Sequence, residues 1–112
     1  MPETDKTSTG LDANVAAALA YSLGWITGIV FLLAEPTNKF VRFHAMQSLI
    51  VFVPLCVLMV VLPAVIPILG MLIAVFLVVP ASAILWLVLM FKAYQGERFK
   101  LPIAGDMAEQ RI

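Results

Sequence analysis

From Ala45 to Phe91 the chain runs for 47 residues without one Asp, Glu, Lys, Arg or His. As a single helix that run would be roughly 70 Å long, more than twice a bilayer core of about 30 Å. It therefore has to fold back once. Pro63 and Pro67, followed by Gly70, mark the place, because proline disrupts a helix interior and glycine permits a turn. Two spans are expected, at about 45–62 and 68–91, joined by an apolar turn over Pro63–Pro67. Pro54 and Pro80 fall inside these spans and predict kinks.

With 112 residues the chain has room for one domain, and 62% of it is hydrophobic against 12% charged. Soluble domains run at roughly 45–50% apolar and about 25% charged, and small ones bury the least of their surface. Lipid has to cover what a core of this size cannot. The net charge is zero, which gives nucleic acid or any other polyanion no electrostatic handle.

Ahead of the long run, residues 1–11 are polar and read as a flexible tail, with Asp12 at an N-cap position. The N-terminus is more acidic than basic, unlike a secretory signal, so the first apolar segment is expected to stay in the membrane. That segment, 13–34, has 22 uncharged residues, roughly 33 Å as a helix and enough for one span. Within it Ala16, Ala20, Gly24 and Gly28 recur every fourth residue and form a ridge on which another helix backbone can close in. The ridge reads as an intramolecular packing face, with a homodimer face as the alternative. Pro36 ends the segment.

Residues 38–48 then crowd polar groups against the start of the second span. His44, Gln47 and Ser48 share a helical face with Phe40, while Arg42 points elsewhere and is expected to reach the headgroups. The cluster Arg42, His44, Gln47 and Ser48 has two readings: hydrogen bonding across the bundle, or a polar vestibule for a substrate or partner. The first is the more economical, since the groups lie near a helix end.

Three spans would place Lys6 on one side of the membrane and Lys39, Arg42, Lys92, Arg98, Lys100 and Arg111 on the other. The positive-inside rule then puts the N-terminus out and the C-terminus in. Tyr94 and Phe99 among the basic residues after Phe91 fit an interfacial girdle, and residues 104–112 read as a loose tail beyond a membrane domain at 12–103.

No catalytic constellation emerges. His44 is the sole imidazole and no carboxylate stands near it in sequence, so a nucleophile at Ser48 or Cys56 has no oriented base. One cysteine allows neither an internal disulfide nor a thiolate metal site, and there is no glycine-rich phosphate loop. Neither an enzyme nor a cofactor is expected.

Three stretches carry a family resemblance: 11–25, 40–48 and 92–102, with Phe40-Val41-Arg42-Phe43-His44-Ala45-Met46-Gln47-Ser48 the most specific. In them the chain resembles small prokaryotic membrane proteins related to the Tic-twenty component of the chloroplast protein-import translocon. The resemblance implies a helical membrane protein linked to protein translocation, with a polypeptide substrate, no catalytic residue and no cofactor. The expectation is thus an all-α, three-span protein of a prokaryotic plasma membrane. It would serve as an oligomerising or accessory subunit of a membrane complex, with a solute or ion transporter subunit as the alternative.

Overall fold

The computed structural model describes residues 7–111, and every regular element among them is helical. The first six residues of the polar tail, and Ile112, lie outside the described residues. In chain order the elements are α1 (Ala13–Ser22), α2 (Trp25–Ala34), α3 (Lys39–Val65), α4 (Pro67–Ile73), a π-helical stretch over Ala74–Val78, α5 (Val79–Tyr94) and α6 (Ala104–Gln110). The segment from α4 to α5 is one continuous helix of 28 residues. It and the 27-residue α3 each reach a mean hydropathy of 2.8, and both are long enough to cross a bilayer.

The turn between these two helices is tighter than the prolines imply. Helix α3 runs through Pro54 and Pro63 to Val65, and Ile66 alone separates it from Pro67, the first residue of α4. Proline costs nothing at that position, where the missing N–H would be unpaired in any case. A Cβ on Gly70 would lie 2.0 Å from the Leu62 carbonyl oxygen, so only glycine lets the returning helix come this close. At Pro80, where a kink is expected, the helix changes form. The turns immediately before it open to π geometry, with the Val79 N–H bonded to the Ala74 carbonyl, which makes room for the proline ring. The start of α3 also precedes the expected boundary at residue 45, because the Asn38 side chain accepts from the Val41 N–H at 3.1 Å and caps the helix at Lys39.

The first apolar segment departs from expectation. It is not one 22-residue span but two ten-residue helices, each roughly 15 Å long. The break lies at Leu23–Gly24, where Gly24 adopts φ 63°, ψ −133°, a backbone conformation open essentially to glycine alone. Helix α1 descends antiparallel to α5, from Asn14, whose side chain donates to the Tyr94 carbonyl at 2.9 Å, to Tyr21, whose carbonyl accepts from the Trp86 indole at 2.6 Å. Helix α2 then climbs back antiparallel to α3. Gly24 lies against Phe52, Gly28 against Ala45, and Leu32 beside Arg42. The two ends of the hairpin meet: Ser8 Oγ donates to the Glu35 carboxylate at 3.1 Å. Residues 13–34 thus enter and leave at the same end of the molecule.

Breaking a helix beside apolar neighbours frees carbonyls that lipid cannot satisfy. Here side chains take them up. Thr27 Oγ1 accepts from the Leu23 N–H at 3.1 Å and donates to the Ala20 carbonyl at 3.0 Å. The Trp86 indole serves Tyr21, and Ser48 Oγ serves Gly24 at 2.8 Å. The ridge of small residues is split by the same break. Ala16 and Ala20 are fully buried with Ala13 and Ala17 in the α1 packing face. On α2 a Cβ at Gly28 would meet the Ala45 carbonyl at 2.8 Å.

Replacing Gly24 with alanine adds no clash, since Phe52 lies 3.7 Å away, but it forces a side-chain-bearing residue into the glycine conformation. Gly24→Ala is expected to cost about 1–3 kcal/mol, read as a lower melting midpoint in detergent. An unchanged midpoint would mean the segment is not held in this hairpin.

Candidate functional site

The sequence gathers polar side chains at the start of α3, and the fold encloses them. His44, Gln47 and Ser48 are each fully buried, as is Tyr21 from α1. Phe40, Phe43 and Tyr21 meet the His44 ring edge-on, with centroids 4.7, 5.2 and 5.4 Å away. Such surroundings leave each polar atom to be satisfied by protein.

They are, through a network that fixes its own proton positions. His44 Nε2 lies 2.9 Å from the Glu97 carbonyl, which can only accept, so that nitrogen carries the hydrogen. Nδ1 is then the acceptor for the Tyr21 hydroxyl at 2.8 Å. The same hydroxyl oxygen accepts from Gln47 Nε2 at 2.9 Å, whose other hydrogen goes to the Phe99 carbonyl at 2.9 Å. Gln47 Oε1 accepts from the Leu101 N–H at 3.0 Å. Two side chains of α3 therefore read the backbone of residues 97, 99 and 101, whose alternate spacing matches an extended strand.

That extended segment starts from the end of α5. Gly96, at φ 82°, lets the Glu97 N–H return to the Lys92 carbonyl and the Gly96 N–H to Ala93, closing the helix with paired turns. Beyond it α6 folds back onto α3, with Glu109 bonded to Arg98 at 3.4 Å and to Lys100. Residues 104–110, expected as a loose tail, form a helix whose buried Gly105 and Ala108 face the body of the protein.

Arg42 does not reach outward. Its guanidinium donates to the carbonyls of Leu32 at 2.8 Å and Glu35 at 3.0 Å, capping α2 where positive charge is favoured. The adjoining Glu35 carboxylate is buried and accepts from Ser8, Thr37 Oγ1 and the Asn38 N–H. Burial pushes its pKa up. The hydrogen bonds from Ser8, Asn38 and Thr37 outweigh that and hold it below the ordinary carboxylate value.

The structure thus joins His44 and Gln47 to Tyr21, which the sequence pattern did not single out, while Ser48 serves the Gly24 carbonyl at the helix break and Arg42 goes to a separate corner. The only available signal for Tyr21 was its place among the small residues of α1, a polar ring tip on a packing face. Ala16 and Ala20 line α1, Gly24 forms the break and Gly28 packs on α3. Among the described residues, no group of three His, Cys, Asp or Glu gathers as a metal ion would need.

Comparison with known proteins places residues 6–108 in a match to the magnetosome magnetite crystal formation protein family. A UPF0132 membrane protein of Methanocaldococcus jannaschii is 55% identical over 105 residues, covering 94% of this chain and 93% of the relative. A second from the same organism is 50% identical, covering 90% and 71%. One from Archaeoglobus fulgidus is 52% identical, covering 88% and 94%. No solved structure shows a significant match. These matches overturn the resemblance to the Tic-twenty-related proteins, and the link to protein translocation falls with it. The three stretches that carried that resemblance form α1 with its break, the polar start of α3, and the end of α5 with the extended segment that α3 holds.

Two results should follow. Gln47→Leu strands the Leu101 N–H and the Phe99 carbonyl, at about 1–3 kcal/mol for each buried group left unpaired. Its melting midpoint in detergent should fall well below that of an exposed substitution such as Gln95→Leu, and equal midpoints would refute the network. The Glu35 contribution should be full above the ordinary carboxylate pKa of about 4.3 and be lost as pH falls through the lower folded value. Glu35→Gln should lower the midpoint at neutral pH and flatten its acid limb, and an unchanged limb would refute the assignment.

Proposed function

This chain belongs to the magnetosome magnetite crystal formation protein family, and from that premise we propose that it is a non-catalytic structural subunit of a membrane assembly. Its relatives are named membrane proteins, and two of its helices are long and apolar enough to span. The observation that carries the reading is the contrast between the two halves of the molecule. At the charged end every polar side chain of the network is spent on the chain itself. In the other half α3 and α5 leave apolar grooves open. One, of about 200 Å³, is lined by Leu55, Leu58, Leu77, Val78, Ala81, Ser82 and Leu85. Another, of about 170 Å³, is lined by Phe52, Leu55, Cys56, Met59, Val79 and Ser82. Such surfaces suit helix packing with a second copy or a partner subunit, where close van der Waals contact replaces the hydrophobic drive.

The transporter alternative needs His44 and Gln47 to face a permeating solute. Their donors and acceptors are taken by Tyr21 and by the backbone of residues 97–101. That reading has no supporting geometry.

The topology belongs to the same proposal. With residues 13–34 returning to their starting end, two helices cross, and Ser8 and α6 lie on one side with Lys39, Arg42, Lys92, Arg98, Lys100 and Arg111. The positive-inside rule makes that side the cytoplasmic one in a prokaryotic plasma membrane. The orientation with the N-terminus outside needs the first segment to cross; the break at Gly24 supports its return to the starting end instead.

Two measurements test the proposal. Native mass spectrometry from nanodiscs should show a homo-oligomer or a stoichiometric partner, and monomer alone would overturn the subunit reading. In a Cys56→Ser background, Thr9→Cys and Asp106→Cys should be labelled by an impermeant maleimide from the same, cytoplasmic face. Labelling from opposite faces would overturn the topology.

A further inference from the structure

The buried residues of this chain are distributed unevenly along its length. Among residues 53–88 only Gly70, Ala74 and Val78 are buried, while the rest of the core comes from residues 13–52 and 89–108. The reason is the hairpin. Helices α1 and α2 reach only as far down α3 as Ser48 and Phe52, and as far along α5 as Trp86. Past that level the protein is two helices and nothing more.

The outer face of the hairpin is apolar. Leu33 is 80% exposed, Leu23 66%, and Ile26 and Val30 51% each. A surface of that kind belongs against hydrocarbon, so the hairpin occupies space inside one leaflet. Its arms of roughly 15 Å match the half-thickness of a bilayer core of about 30 Å.

We infer that the chain is a wedge whose partner is a curved bilayer, bent so that the leaflet holding the hairpin is the convex one. The inference rests on the two-span topology proposed above and is independent of assembly. In one leaflet four helices, α1, α2, α3 and α5, displace lipid, and in the other only two do. At about 10–12 Å per helix diameter this is roughly 400 Å² against roughly 200 Å². A flat bilayer has equal area in its two leaflets and must strain around such a shape. A bilayer convex on the hairpin side offers more area where the protein needs it. With the termini cytoplasmic, that is the curvature of a vesicle or invagination whose outer leaflet faces the cytoplasm. Copies that meet through their thin halves splay at their wide ends, which bends the membrane in the same direction.

The test uses the full chain in mixed-size liposomes. An Asp106→Cys, Cys56→Ser protein carries a fluorophore, and an impermeant quencher reports how many molecules have their termini outside. Molecules inserted the opposite way meet the opposite curvature and act as the internal control. The expected result is that the outside-to-inside ratio rises as vesicles become smaller, from large extruded to small sonicated ones. A ratio independent of vesicle size overturns the wedge. The same measurement on Thr9→Cys separates this failure from that of the topology. If Thr9 and Asp106 report opposite faces the two-span reading is wrong, whereas if they agree and the ratio stays flat only the curvature inference is lost.

Discussion

A backbone carbonyl with no partner in hydrocarbon is too costly to keep, and this fold depends on how the carbonyls at one helix break are supplied. Ala20 and Tyr21 give up their helical partners where the first apolar segment turns back, and Gly24 keeps only a long bond from the Gly28 N–H at 3.4 Å. Thr27 from the second arm and Trp86 from α5 replace the lost partners, and Ser48 from α3 adds a second donor to Gly24. The hairpin is therefore fastened to both spanning helices at its tip. Everything else at the charged end follows from its being there: the enclosure of Tyr21 beside His44, the meeting of Ser8 with Glu35, and the capping of α2 by Arg42.

The same economy explains why the polar cluster is closed. The side chains of Tyr21, His44 and Gln47 have five bonds among themselves and the extended segment after α5. A buried network earns its place only when every member is satisfied, and here each nitrogen and oxygen has a defined role. The segment at 97–101 brings no side-chain polar group to it. It brings backbone, which any residue would supply at 97 and 99 and any but proline at 101, so the network selects a conformation of the tail more than its composition.

Much of this was legible in the residues. The charge-free run fixed two spans and a reversal near Pro63–Pro67, and the helical face of His44, Gln47 and Ser48 followed from spacing alone. The hairpin was not legible, for a physical reason. Glycine in an apolar run serves equally as a contact that lets helices approach and as the one residue able to leave the helical region of φ, and Gly28 and Gly24 do one each. Length misled as well, since 22 uncharged residues are as compatible with one long helix as with two ten-residue helices. Partners such as Glu97, Phe99 and Leu101 could not be anticipated, because main-chain groups leave no mark in a sequence.

The far turn of the molecule has a consequence for how the chain enters a membrane. Between Val65 and Pro67 there is a single residue, and from Ala45 to Phe91 no charge at all. Translocating a charged loop is the expensive part of inserting most helical pairs. This pair has none to translocate: α3 and its returning partner can pass in together as a closed apolar hairpin, and on the topology proposed above the charged groups of the described residues stay on one side. The shorter hairpin of α1 and α2 needs only to sink halfway in beside them. Biogenesis on this plan moves hydrocarbon into hydrocarbon and leaves the water-loving parts of the chain where they were made.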